Sequence, residues 1–146
     1  MLCGQAANGH RRPRPNDVVV VDSSVWIAYF RAAATEPVRK LETLEPDLGP
    51  LLGDLILLEV LQGTRDAAHA LRIEQRLRRF PVVSMLDADL AVEAAANYRL
   101  LRSRGITMRK VADLIIGTYC IGHRHALLHD DRDFEPMRIH LGLQVH

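Results

Sequence analysis

Several features that would place this chain of 146 residues in a familiar class are missing. It has two cysteines, Cys3 and Cys120, far apart in the sequence. That argues against a disulfide, and the apolar surroundings of Cys120 in "LIIGTYCIG" predict a buried thiol. No apolar run approaches the roughly 20 residues of a membrane span. Neither GxGxxG nor GxxxxGK[ST] occurs, so no glycine-rich phosphate loop is expected. His123, His125 and His129 lie close together, but neither a cysteine pair nor HExxH accompanies them, so surface or strand-end positions are expected rather than zinc ligands. The formal net charge is +1, which leaves no global basic field calling for nucleic acid. Residues 1–17, rich in Gly, Asn, Arg and Pro, lack the apolar core of a secretory signal. They read as a disordered tail ahead of a domain covering 18–146, and the whole as cytoplasmic.

What remains is ordinary in bulk and specific in detail. Apolar residues make up 48% and charged residues 25%, as in a soluble globular domain. Of the 19 basic residues 17 are arginine. Two clusters stand out, Arg72, Arg76, Arg78 and Arg79, then Arg99, Arg102 and Arg104; solvated helix faces are the simple reading, an RNA-binding surface the sharper one. "VVVV" at 18–21 has no polar alternation and reads as a strand covered on both faces. A helix over about Ser23–Ala33 follows, with Asp22 or Ser23 as its N-cap. Further helices are expected over about Glu36–Leu44, 55–62 with Asp54 as cap, Asp66–Arg79, Asp87–Arg104 and Lys110–His123. Leu90, Ala94, Tyr98 and Leu101 form an apolar stripe on the longest of them. Short strands are expected near Leu51–Leu52, in "PVVSM", in "HALLHDD" and in "LGLQV", with a helical turn over Asp133–Ile139. Strands separated by helices require crossovers, so the fold class is a three-layer α/β/α sandwich around a mostly parallel sheet.

Acids interrupt apolar sequence at four stations. Asp22 follows the valine strand, Glu59 sits inside "LILLEVLQG", Asp113 inside "VADLIIG", and Asp131 and Asp133 follow "ALLH". In an open parallel sheet the carboxyl ends of the strands face the ligand crevice. A buried carboxylate is costly unless it is paired or bound to a cation. An oxygen-only cluster selects hard cations, Mg²⁺ or Mn²⁺. Such a cation polarises a phosphodiester and lowers the pKa of attacking water. Each acid also has a plainer reading: Asp22 as a helix cap, Glu59 in an ion pair with an arginine, Asp113 paired with Lys110 or Arg109, Asp133 as cap of "DFEPM".

"VVVDSSVWIA", "LLEVLQG", "VADLIIGTYC" and "LLHDDRDFEPM" together resemble the four acidic stations of PIN-domain nucleases, closest to VapC-type toxins of toxin–antitoxin pairs. The resemblance runs over about residues 18–145. It implies a metal-dependent endoribonuclease that arrests translation, a VapB-type antitoxin as partner, and a homodimeric core within a higher toxin–antitoxin assembly. By position it makes Asp22, Glu59, Asp113 and Asp131 the catalytic metal ligands, with Asp133 as a further candidate and Asp130 outside the site. Ser24 falls where the family carries a hydroxyl that supports a ligand or water. Arg109, Lys110 and Arg132 are candidates for phosphate contact. Trp26, Ile27, Tyr29 and Phe30 pack a helix that the resemblance places beside the antitoxin groove, with core packing the favoured reading for Trp26 itself. Two other readings stand beside this one. One is another α/β phosphohydrolase or phosphoacceptor domain, although Ser24 stands where a dehalogenase-type phosphatase needs a second acid. The other is a catalytically silent PIN module.

Overall fold

The computed structural model describes residues 18–146; the expected tail over 1–17, with Cys3, lies outside the described residues. Strands and helices alternate: β1 (Val19–Val21), α1 (Ser23–Phe30), α2 (Glu36–Glu42), β2 (Leu52–Gly53), α3 (Asp54–Gln62), α4 (Ala67–Leu77) and β3 (Val82–Val83). The second half adds α5 (Ala88–Ser103), α6 (Val111–His123), β4 (Ala126–Leu128), α7 (Glu135–Leu141) and β5 (Gln144–Val145). A 3₁₀ turn over Arg132–Phe134 leads into α7. Every strand pairing is parallel, as crossovers demand. β1 pairs with β4 in the register Val21 to Leu128, and β4 with β5. A single parallel bridge from Val20 to Leu51 joins β1 to the β2–β3 pair. The spatial order is therefore β3-β2-β1-β4-β5, with β1 in the centre.

Burial follows the sequence pattern. Val19, Val20 and Val21 are inaccessible on both faces, as are Leu127 and Leu128. A central strand sandwiched by helices must be apolar throughout, which is why the valine run shows no alternation. α6 is buried along the eight residues Asp113–Cys120. Gly117 allows that depth, because a Cβ there would collide with the sulfur of Met137 on α7. Cys120 is fully buried, as its apolar surroundings implied, and burial pushes its thiol pKa up.

Three local expectations are corrected. α1 stops at Phe30, short of Ala33, because the chain turns through Ala32 at φ 56°. Gly53, not Asp54, is the N-cap of α3. Asp54 sits in the first turn, where its Oδ1 accepts from Leu55 N (2.9 Å) and Met85 N (3.1 Å), tying α3 to the chain after β3. Asp133 does not cap the turn that contains it; Asp131 does, through Oδ1 accepting from Asp133 N at 2.9 Å.

Candidate active site

The register of β1 against β4 decides where the acids meet. Val21 and Leu128 lie side by side, so the chain leaves both strands at the same edge, with Asp22 on one side and the 129–133 segment on the other. Asp22 N donates to Leu128 O at 2.9 Å, which pins the first acid to the end of β4. α3 and α6 flank this edge and bring Glu59 and Asp113 to it. Asp22, Glu59, Asp113 and Asp131 line one cavity of about 280 Å³, together with Lys110 and Gln62. Asp133 is held at its rim, its ligand oxygen within 4.8 Å of those of Asp113 and Asp131.

Asp22 shows how one carboxylate serves fold and site together. Oδ2 accepts from Ser24 N (3.0 Å) and Ser24 Oγ (2.7 Å), capping α1. A cap of this kind stabilises by about 1 kcal/mol. Oδ1 is buried and has no hydrogen-bond partner. The helix-cap and ligand readings of Asp22 thus fall on different oxygens. Ser24 Oγ also accepts from Asp130 N at 3.0 Å, so this hydroxyl clamps the two strand ends together behind the acids. Asp130 contributes that backbone N–H and leaves its own side chain exposed.

The other deep acids are similarly short of partners. Glu59 Oε1 and Asp113 Oδ2 are buried without hydrogen bonds. Lys110 Nζ is 3.9 Å from Asp113 Oδ2, close enough for an ion pair but beyond hydrogen-bond reach. Asp113 is 3% exposed and Asp22 2%. Burial, then the neighbouring Asp22 charge, pushes the Asp113 carboxyl up to about 7. Burial likewise raises Asp22, partly offset by the Ser24 bonds. Glu59 is raised by burial and by Asp22, against a hydrogen bond from Ser23.

Asp131 differs. Burial raises it, but the Asp133 N–H and the Lys110 ammonium outweigh that, and its carboxyl titrates below the usual range. Lys110 Nζ donates to Asp131 Oδ2 at 2.9 Å and lies 3.6 Å from Asp133 Oδ2. The lysine expected to face phosphate is therefore engaged by the acids themselves. Arg109 and Arg132 are exposed. Arg132 lines a larger open groove on the far side of Asp131, about 760 Å³, floored by Ile106, Pro136 and Ile139.

The donor set fits a hard divalent cation. All the convergent donors are carboxylate oxygens, and three of them are buried with unmet bonding capacity. Among the described residues the one group able to hold a metal by proximity is Asp113, Asp131 and Asp133. None of the described histidines joins it. His123 stacks on Tyr119 with ring centroids 4.0 Å apart, and His129 Nδ1 accepts from Asp131 N at 3.1 Å.

The sequence profile of the PIN domain matches residues 19–139. The chain belongs to the PIN-domain family. It is 31% identical over 131 residues to VapC ribonuclease Mb1587 of Mycobacterium bovis, and equally to ribonuclease VapC11 of Mycobacterium tuberculosis. Each alignment covers 88% of this chain and 97% of the relative. Among solved structures, this PIN domain resembles a chain of VapBC-1 from nontypeable Haemophilus influenzae, with TM-score 0.69, 16% identity, and 88% and 96% of the two chains covered. It also resembles a chain of VapBC2 from Rickettsia felis, solved bound to a promoter DNA fragment, with TM-score 0.71, 16% identity, and 88% and 97% covered. These structures support the three-layer fold read from the element order.

Sequence reasoning read Ser23 only as a possible helix cap and did not assign Ser23 or Gln62 to the site. Ser23 is buried beside Asp22, and both residues line the cavity. Gln62 lies three residues after Glu59 on α3, a spacing that shares a helix face and was the available signal. Trp26, at 2% exposed, packs against Phe80 (centroids 5.5 Å) as the core reading expected, so it offers no surface of its own to a groove. Tyr29 and Phe30 are half-buried, with the Arg76 guanidinium over both rings.

Proposed function

We propose that this PIN-domain protein is the toxin of a type II toxin–antitoxin pair and acts in the cytoplasm as an endoribonuclease that inhibits translation. The observation that carries this is the convergence of Asp22, Glu59, Asp113 and Asp131 on one cavity with three buried carboxylate oxygens that receive no hydrogen bond. The ribonuclease names of relatives that align over nearly their whole length support the reaction class.

Asp22, Glu59 and Asp113 would hold Mg²⁺ or Mn²⁺, with Asp131, rather than Asp133, closing the ligand set. The cation, when bound, supplies a Lewis acid for the phosphodiester and a low-pKa water. The chain's own part is positional. Ser24 fixes Asp22 and the 130–131 backbone relative to each other, so two ligands move as one unit. α6, locked by Gly117 against Met137, fixes Asp113. No histidine general base is needed: none of the described histidines lines the acid cavity, and His129 lends its Nδ1 to Asp131 N. Arg109 and Arg132, both exposed, would contact RNA phosphates.

The partner would be a VapB-type antitoxin, in line with the VapBC assemblies to which the fold is similar, and the toxin would pair with itself in the larger complex. Tyr29 and Phe30 offer half-exposed apolar surface for an amphipathic antitoxin helix. Sequencing of RNA ends from cells expressing wild type or Asp22→Asn tests the proposal and names the target. New 5′-phosphate ends confined to wild type are expected. Identical end maps would overturn it.

A further inference from the structure

The groove beyond Asp131 has no part in the chemistry described above. Asp131 lines both this groove and the acid cavity, so an occupant of one abuts the other. At about 760 Å³ the groove has the volume of a small-molecule site. Its floor is apolar: Ile106, Pro136 and Ile139, the last 59% exposed although aliphatic. His140 also lines it, with Nδ1 2.9 Å from Arg104 Nη1, so an imidazole and a guanidinium lie together at its edge. Such surface suits the flat face of an unpaired nucleobase, which packs on apolar side chains, histidine rings and arginine planes.

Three carboxylates line the groove, and two are taken. Asp131 accepts from Lys110 Nζ and Asp133 N, and Glu135 is held by the Arg138 guanidinium. Asp130 is exposed, and its carboxylate makes no hydrogen bond or ion pair with the described residues. Its backbone is nevertheless fixed, because Asp130 N donates to Ser24 Oγ at 3.0 Å. The acid left over by the metal site is therefore an acceptor held in place beside an apolar floor. An ionised carboxylate accepts and does not donate. Guanine offers it two adjacent donors, N1–H and the N2 amino group, while cytosine and adenine each offer one amino group. Uracil offers a single N–H between two carbonyl oxygens, whose lone pairs an anion repels.

We infer that this groove receives one unpaired base of the RNA beside the scissile phosphate, and that Asp130 selects a base with an exocyclic amino group, guanine foremost, over uracil. This rests on the ribonuclease reading of the proposed function and adds to it a base preference and the residue that sets it. Arg132, exposed and lining the same groove, is placed to take a neighbouring phosphate.

The test is cleavage of an RNA pool randomised around the cut, by wild type, Asp130→Asn, Asp130→Ala and Ile139→Glu, with both ends of each cut sequenced. Asp130 and Ile139 are exposed, so the core is undisturbed, and melting curves verify folding. At one position flanking the cut, wild type should take guanine over uracil by roughly tenfold or more. Asp130→Asn should admit uracil there, since an amide donates as well as accepts, and Asp130→Ala should lose the preference. Ile139→Glu, which puts a charge on the floor, should raise KM for a guanine-bearing RNA about tenfold. Cutting without base preference, or the same preference in Asp130→Ala, would overturn the inference and leave the ribonuclease reading standing. An Ile139→Glu protein that cuts like wild type but no longer self-associates would give the groove to a second copy of the chain and overturn the inference as well. No cutting by wild type would overturn the reading and the inference with it.

Discussion

The two sides of the acid cluster use the same side chains and behave oppositely. On the floor, Asp22 and Asp113 are almost inaccessible and Glu59 half so, and all three are held above the ordinary carboxylate range, first of all by burial. At the rim, Asp131 is shifted the other way by the Lys110 ammonium and a backbone N–H. The floor is built from element interiors: a strand end and two mostly apolar helices. The rim is a turn after β4, where water and a lysine reach the oxygens. Chemistry follows from the contrast. The floor presents buried carboxylate oxygens that receive no hydrogen bond, and the rim acids are paired with Lys110.

The largest expected effect comes from removing a floor oxygen. Asp22→Asn and Asp113→Asn should each lower RNA cleavage by roughly 100-fold or more, as expected for the loss of a metal ligand. Asp133→Asn at the rim should cost less than about tenfold in the same assay. Equal losses at floor and rim would erase the distinction.

Next is the pH dependence of stability without metal. The Asp113 carboxyl titrates near 7 in the folded protein against 3.8 ordinarily. Between those values the folded state holds more protons than the unfolded chain, so stability falls as pH rises through that window. Asp22 and Glu59 act in the same direction, and Asp131 in the opposite one, losing its contribution as pH falls. Melting curves in EDTA from about pH 5 to 8 should therefore slope downward, and Asp113→Asn should flatten the slope. An unchanged slope in Asp113→Asn would show that burial of this carboxylate costs the fold nothing.

The smallest effect concerns the partner. Asp113→Asn should bind the co-encoded antitoxin within about threefold of wild type, since apolar anchors rather than one acid carry most interface affinity. Complete loss of binding in a pull-down would make the floor itself the main anchor.

Much of this division was legible in the sequence, but not all. The valine run, the acid at its end and the parallel topology follow from local pattern, because a doubly covered strand permits no polar alternation. The two roles of Asp22 were open from sequence and resolve onto separate oxygens, a difference of a few ångströms that spacing does not encode. Lys110 reads as a phosphate contact from its position before α6. Its pairing with Asp131 spans 21 residues and depends on how β4 ends, which only the assembled sheet decides. Trp26 reads as core from its apolar neighbours, but the ring that closes over it, Phe80 in the turn after α4, is 54 residues away and is set only by the assembled fold. The cap of α3 was misplaced by one residue because Asp54 is a strong cap type, yet here its carboxylate is drawn to Met85 N across the sheet edge.

The central claim is that the floor works only when a divalent cation fills it. The direct measurement is cleavage of cellular RNA by the purified protein in excess EDTA, followed by back-titration with Mg²⁺ or Mn²⁺. The account predicts no cleavage in chelator, recovery with either ion, products bearing 5′-phosphate ends, and no recovery in Asp22→Asn. Full activity in EDTA would contradict it.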